Sequence, residues 1–264
     1  MEIPWQIVLC IYKIRKNRDT MDQRKEFISI IIPAYNESAR ILPSLRRLGE
    51  YLHGHFRGFE LVVVNDGSSD TTEDVVVRAK KEIPSIHYSG YKENKGKGYA
   101  IRQGVALSTG DIILVSDADL STPIEEVEKL LAHYDNGYSV VIGSRGLDAR
   151  SIVVRQPWWR EFMGKTFNWI VRMLLLKGFK DTQCGFKLFN GNRGRELFRE
   201  TTVDRFAYDV EILYLAMKAG YTIKEVPVKW LNSPGSKVRP LRDSFQMAKD
   251  LVRIRSRKNG LRRR

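Results

Sequence analysis

Short apolar runs and helical patterns alternate from Phe27 to about residue 230, and the runs give way to loops rich in polar and charged side chains. Phe27–Ile32 (FISIII) reads as a buried strand that Pro33 ends. Glu60–Val64, Ile86–Ser89, Asp111–Ser116 and Tyr138–Ile142 read as further strands. Between them, Ile41, Leu45, Leu48 and Leu52 stand at helical spacing, and Ser69 and Asp70 sit where N-caps sit, ahead of a helical pattern from Thr71 to Lys81. A third helix follows the Asn94–Gly98 loop to about Ser108, and Pro123 takes the first-turn place of a fourth. This alternation restricts the chain to an α/β fold with a doubly wound, mostly parallel sheet, whose ligands sit at the carboxyl ends of the strands.

The 264 residues suffice for one large domain of this kind, or at most two small ones. The two cysteines, Cys10 and Cys184, imply no disulfide framework and point to a reducing compartment. Cys184 beside Gly185 reads as a small packing residue rather than a nucleophile. The net charge of +14 raises the question of nucleic acid, but the excess sits at the two ends. Residues 27–250 carry 32 basic against 27 acidic side chains, and no zinc-finger spacing or RNA-stacking motif occurs. Basic ends on a nearly balanced body suit an anionic membrane surface.

Three segments follow from this: a basic stretch over 1–26, an α/β domain over 27–235, and a basic amphipathic end over 236–264. The longest apolar run near the start, Ile7 to Tyr12, is six residues, too short to span a bilayer. It is either a short interfacial anchor or a helix packed on the domain. Residues 158–177 place Trp159, Phe162, Met163, Phe167, Ile170, Met173 and Leu174 on one helical face, with Arg160, Lys165, Arg172 and Lys177 interspersed. That composition fits an interfacial helix, with a core helix as the alternative. Leu241, Phe245, Ala248, Leu251 and Val252 give a second amphipathic pattern running into the arginine-rich tail.

The chemistry gathers in four loops, each after an expected strand: Pro33-Ala34-Tyr35-Asn36-Glu37, Asn65–Asp70 (NDGSSD), Lys95–Gly98 (KGKG), and Asp117-Ala118-Asp119. Residues i and i+2 of a strand share a face, so Asp117 and Asp119 are expected side by side, able to share one divalent cation.

In this order the four loops resemble the nucleotide-sugar-dependent glycosyltransferases of family 2, which have the GT-A fold. The resemblance covers Phe27 to about Arg255. It implies a donor site made of Pro33, Ala34, Tyr35, Glu37, Asp66, Lys97, Asp117, Ala118, Asp119 and Lys237, with Asp66 at the uridine and Lys97 at the diphosphate. Asp117 and Asp119 would hold Mg²⁺ or Mn²⁺. In the second half, GSR at Gly143–Arg145, DTQCGFKLF at Asp181–Phe189, RFAYDVE at Arg205–Glu211 and the run ending at Val238 are similar to the dolichyl-phosphate β-glucosyltransferase branch. Where the mannose branch commonly has a glutamine two residues past the second aspartate, this chain has Ser121.

The resemblance therefore implies a metal-dependent transferase that moves glucose from UDP-glucose to a dolichyl or polyprenyl phosphate with inversion, peripherally on the cytoplasmic face of a membrane. Arg145 and Arg160, with Ser236 and Lys237, would receive the acceptor phosphate, since a guanidinium fork suits a phosphate monoester. For Arg160 a surface helix charge is the alternative. The roles of Asp181, Gln183, Asp209 and Glu211 stay open. Rivals are a mannosyl or glycan-extending family 2 transferase and, from another class, a nucleic-acid-binding protein using the basic tail.

Overall fold

The computed structural model describes residues 23–148, 166, 171–231 and 240–256, with side chains of the last stretch from Gln246 onward. The expected anchor at Ile7–Tyr12, most of the helix expected over 158–177, Arg160, Ser236, Lys237 and the tail from 257 lie outside the described residues. The strands are β1 Ile28–Ala34, β2 Phe59–Asp66, β3 Ile86–Tyr91, β4 Ile112–Val115, β5 Val140–Ser144, β6 Lys187–Asn190 and β7 Ile223–Pro227. The helices are α1 Ile41–His55, α2 Thr72–Glu82, α3 Lys97–Leu107, α4 Val127–Asp135, α5 Gly191–Arg199, α6 Tyr208–Lys218 and α7 Pro240–Ser256.

Among the described residues the strands form one seven-stranded sheet in the order β3-β2-β1-β4-β6-β5-β7. Only β6 runs antiparallel to its neighbours, so the sheet is mostly parallel, as expected. Alternate residues of the central strands feed two cores. On one face Ile28, Ile30 and Ile32 join Leu61, Val63 and the α1 residues Ile41, Leu45, Leu48 and Leu52. On the other, Ile31, Val62 and Val64 meet Ile101 and Val105 of α3 and Ile212 and Leu213 of α6. Each such aliphatic side chain, fully withdrawn from water, contributes roughly 1.5–3 kcal/mol before entropy is counted.

Four expectations are corrected. Pro33 does not end β1, which continues to Ala34. Ile31 O accepts from Ser116 N (3.0 Å), and Pro33, two residues on, faces that same side, where β4 has already stopped at Val115. Its missing N–H therefore breaks no ladder. The fifth strand lies two residues later than Tyr138–Ile142, because pairing with β7 carries it through Gly143 and Ser144. Pro123 precedes a 3₁₀ turn, Ile124–Glu126, and α4 begins only at Val127. In α7 the buried face is Met247, Asp250, Leu251 and Ile254, whereas Ala248 is exposed and Val252 is 67% exposed. The packed stripe is thus rotated from the one read in the sequence, and it leaves Val252 outside with Arg253 and Arg255.

Candidate active site

The loops after β1 and β2 are knitted into one surface. Asn36 adopts a left-handed conformation (φ +54°), which asparagine tolerates better than most residues, and its Oδ1 accepts from Ser69 N at 2.8 Å and Asp70 N at 3.3 Å. In return Asn36 N donates to Ser68 Oγ (2.9 Å) and Glu37 N to Thr72 Oγ1 (2.8 Å). The N-cap of α2 is Thr71 and not Ser69 or Asp70, and Asp70, one residue before it, accepts from Thr72 N at 3.0 Å. Burial works against its charge, but hydrogen bonds from Thr72 and Ser38 bring its carboxyl down to about 2.

Asp66 sits at the end of β2, buried, and its carboxylate is the anchor of the glycine-lysine loop. It accepts from Tyr91 OH (2.8 Å), Asn94 Nδ2 (2.9 Å), Lys95 N (2.8 Å) and Gly96 N (3.0 Å). Gly96 needs φ +110° here, with the backbone of Asp204 packed against it, so no side chain fits. The loop so fixed starts α3, turning Lys95 outward over the rings of Tyr91 and Tyr99 and Lys97 inward.

Asp117 and Asp119 are not alternate residues of a strand. β4 ends at Val115, and Asp117 to Leu120 form a turn closed by Leu120 N to Asp117 O at 3.1 Å, with Leu120 at φ +48°. The two carboxylates nevertheless stay in one electrostatic neighbourhood. Lys97 Nζ lies 2.5 Å from Asp117 Oδ1, and Asp119 adds to the attraction on the same ammonium. Arg40, which pairs with Glu37, lies 3.5 Å from Asp119 Oδ2 and is also stabilised by Asp117. Asp119 Oδ1 accepts from Ser121 N (3.0 Å) and Ser121 Oγ (2.8 Å).

Burial alone would raise the Asp117 carboxyl, but Lys97, with Lys187 and Arg145 beyond it, holds it below the usual carboxylate range. Burial likewise opposes the charge of Lys97, and Asp117 with Asp209 more than restores it, so its ammonium titrates above the ordinary lysine value. Side-chain exposures of 24% for Lys97 and 36% for Asp117 leave both within reach of a ligand. Gly185 keeps that approach clear, since a Cβ there would lie 2.7 Å from Asp117 Cγ. Below them Lys187 is almost fully buried and donates to Asp209 and to Cys184 O.

No cluster of three or more His, Cys, Asp or Glu able to hold a metal occurs among the described residues. Asp117 and Asp119 still suit a hard divalent cation of the Mg²⁺ type, which takes one or two carboxylates and completes its shell with phosphate oxygens and water.

The opposite wall is built at the end of β5. Arg145 donates from Nε to Asp181 Oδ2 (2.7 Å) and from Nη2 to Asp181 Oδ1 (3.0 Å), and its guanidinium lies over the Trp230 ring at 5.6 Å. Asp181 N donates in turn to Glu225 Oε1 at 2.7 Å. Burial opposes ionisation of Asp181, but Arg145 brings its carboxyl down to about 2. Leu231 N to Ser121 O (2.7 Å) ties the segment bearing Trp230 to the acidic turn.

Of the residues expected from sequence, Pro33 and Ala34 end β1, Asp66 ends β2, Lys97 begins α3, and Tyr35, Glu37, Asp117, Ala118, Asp119 and Arg145 stand on the loops that follow the strands at this end of the sheet. Asp181 and Asp209, whose roles were open, pair with Arg145 and Lys187, and Glu211 accepts from Thr202 N and Val203 N and so braces a loop. Sequence reasoning passed over Arg40, although its place three residues after Glu37 was a signal for an ion pair at the start of a helix.

A family model, glycosyl transferase family 2, matches residues 29–193. The dolichyl-phosphate β-glucosyltransferase of Dictyostelium discoideum is 38% identical over 243 residues, which are 88% of this chain and 74% of that protein. The Homo sapiens protein of the same name is 34% identical over 249 residues, 89% of this chain and 77% of the other. Among solved structures, glucosyl-3-phosphoglycerate synthase from Mycobacterium tuberculosis in complex with Mn²⁺ and UDP-glucose superposes with a TM-score of 0.65 at 18% identity, covering 92% of this chain and 84% of that one. Mannosyl-3-phosphoglycerate synthase from Rubrobacter xylanophilus gives 0.62 at 19%, covering 91% and 74%. These two share the fold.

Proposed function

This chain belongs to glycosyl transferase family 2 and, within it, to the group of the dolichyl-phosphate β-glucosyltransferases, and from that premise we propose that it transfers glucose from UDP-glucose to a dolichyl or polyprenyl phosphate with inversion, giving a β-linked lipid-phosphate sugar. The observation that carries the reading is that Lys97, ion-paired with Asp117 at 2.5 Å, and Arg145, held by Asp181 just past the end of β5, are placed so that both stabilise the charge of Asp117. Two cations from different loops thus act on one carboxylate, and each suits a different phosphate group.

Asp117 and Asp119 would hold Mg²⁺ or Mn²⁺, which when bound neutralises charge on the departing UDP. Lys97 would meet the diphosphate from the start of α3, where helix N–H groups also favour anions. Asp66 would serve the donor through the loop it anchors. Arg145, oriented by Asp181 and by the Trp230 ring, would receive the acceptor phosphate. A phosphate monoester has a second pKa of about 6, so its attacking oxygen is ionised near neutral pH and no side chain has to remove a proton. What remains for the protein is to hold two anions in line, a matter of proximity and fixed charge.

The acceptor is a membrane lipid, and the exposed apolar residues Met173, Leu174 and Val252 lie among the exposed cations Arg172, Lys177, Arg253 and Arg255. That mixture supports peripheral work on an anionic surface, at the cytoplasmic face. No helix among the described residues is long and apolar enough to cross a membrane. The test is transfer by the purified protein from a panel of nucleotide sugars to phosphorylated and unphosphorylated polyprenols. Product from UDP-glucose and the phosphorylated lipid alone is expected; equal use of the unphosphorylated alcohol would replace this reading with a glycan-extending one.

A further inference from the structure

Arg40 connects two parts of the site that the sequence keeps far apart. It closes a tight turn, with Arg40 N and Ile41 N both donating to Glu37 O at 3.0 and 2.9 Å, and this turn folds its side chain back along the loop after β1. Its guanidinium donates from both Nε and Nη2 to the two oxygens of Glu37, the latter at 2.9 Å, while Nη1 reaches Asp119 Oδ2 at 3.5 Å. The side chain is 26% exposed, and both carboxylates are more buried, at 10% and 17%. An arginine that merely paired with its neighbour three residues back would have no carboxylate from the turn after β4 in reach.

Asp119 is thereby held at both oxygens. Oδ1 takes two hydrogen bonds from Ser121, on its own turn, and Oδ2 faces Arg40, from the neighbouring loop. Ser121 fixes the carboxylate relative to the acidic turn only. Arg40 fixes it relative to Glu37, whose backbone is in turn bound to Thr72 at the start of α2. The geometry points to Arg40 as a positioning residue that sets Asp119, as a ligand of the divalent cation, in register with the loop that receives the nucleotide. This rests on the reading of Asp119 as a metal ligand. Groups that orient a ligand without touching the metal typically change metal affinity by 10–100-fold when removed. Lysine cannot replace arginine here, because a point charge does not span two carboxylates as a planar fork does.

The experiment measures Mn²⁺ affinity by calorimetry in the presence of saturating UDP for the full-length wild type, Arg40→Ala and Arg40→Lys, with thermal melting of each. The expected result is a Mn²⁺ affinity lower by on the order of tenfold in Arg40→Ala, with Arg40→Lys in between. An affinity in Arg40→Ala within twofold of wild type, with only the melting temperature lowered, would overturn the inference and leave Arg40 as a brace of the helix start. A tighter affinity would also overturn it, showing that Arg40 competes with the metal. If Arg40→Ala fails to fold, Arg40→Lys decides alone, since wild-type affinity in that variant rules out a need for the fork. A wild type that binds no Mn²⁺ with UDP would instead remove the reading of the acidic pair itself.

Discussion

Arg145 and Asp181 meet at two points, Nε to Oδ2 at 2.7 Å and Nη2 to Oδ1 at 3.0 Å, and the backbone N–H of Arg145 donates to that same Oδ2 at 3.0 Å. The side chain of Asp181 is 4% exposed, so its charge depends chiefly on Arg145, with help from Gln183 N at 3.1 Å and from Lys187. Its carboxyl stands at about 2 instead of 3.8, and a depressed carboxyl contributes stability that is complete above the unfolded value and lost as pH falls through the folded one. Asp181→Asn should therefore cost about 2 kcal/mol at neutral pH and flatten the acid limb between 3.8 and about 2. Denaturant unfolding at stepped pH measures both.

Replacing the arginine separates acceptor from donor. Arg145→Ala should raise the lipid phosphate requirement and lower the rate by at least tenfold while UDP binding stays within a few-fold of wild type, because a desolvated charge-assisted pair contributes about 1.5–3 kcal/mol. Arg145→Lys should recover part of the loss, since the charge returns without the fork. Titration with UDP and steady-state kinetics in lipid phosphate distinguish the two sites; loss of UDP binding in Arg145→Ala would contradict the assignment.

Asp119→Ala should remove nearly all transfer, by roughly a thousandfold or more, as expected when a metal that stabilises the transition state by several kcal/mol is lost. The side chain sits on a turn and supports no core, so far-ultraviolet circular dichroism should be unchanged. A chelator should silence the wild type equally, and Mn²⁺ should restore it. Full activity of the variant in metal-replete buffer would show that Asp119 is not a ligand.

Gly185→Ala is expected to act like a lesion of Asp117, although the substitution itself adds neither a charge nor a hydrogen-bonding group. The added methyl would sit 2.7 Å from Asp117 Cγ, forcing the carboxylate away from its place beside Lys97. Nucleotide and metal affinities should fall together by on the order of tenfold or more, as when a ligand's supporting contacts are lost. Calorimetry with UDP and Mn²⁺ checks this.

Val252 is 67% exposed, so Val252→Asp should leave the melting temperature within about two degrees while weakening sedimentation with anionic vesicles, since surface changes away from packed sites are usually within ±0.5 kcal/mol. Unchanged vesicle binding would mean that this face of α7 does not meet the lipid.

The five strands expected before residue 150 are all present: four are apolar runs rich in β-branched residues, and the mixed run Ile86–Ser89 (IHYS) is the edge strand β3, paired with β2. β6 was not legible as a strand: it has four residues, and the first of them, Lys187, is a fully buried lysine that breaks the apolar signal and is tolerated only because Asp209 faces it. Pro33 was misplaced for a related reason, since whether a proline ends a strand depends on which neighbour is still beside it. In the site, the four loops were readable as motifs, but their division of labour was not. That Asp66 anchors a loop, and that Arg40 joins Glu37 to Asp119, depends on packing between segments remote in sequence.

The placement of β6 also bears on how the chain comes together. Residues up to Val115 supply β3, β2, β1 and β4, a contiguous parallel block holding the Lys97 and Arg40 sides of the site, whereas the strand that covers β4 begins at Lys187. In a chain made from its N-terminus, that block can assemble while β4 is still a bare edge, open to any extended segment nearby. Lys187, at the head of the late strand, is buried in the finished sheet, and the carboxylate that meets its charge, Asp209 of α6, follows it in the chain. The residue that hid β6 from the sequence reading is thus one whose burial needs a partner made after it, and β5, with Arg145 just past its end, joins the parallel block only through β6.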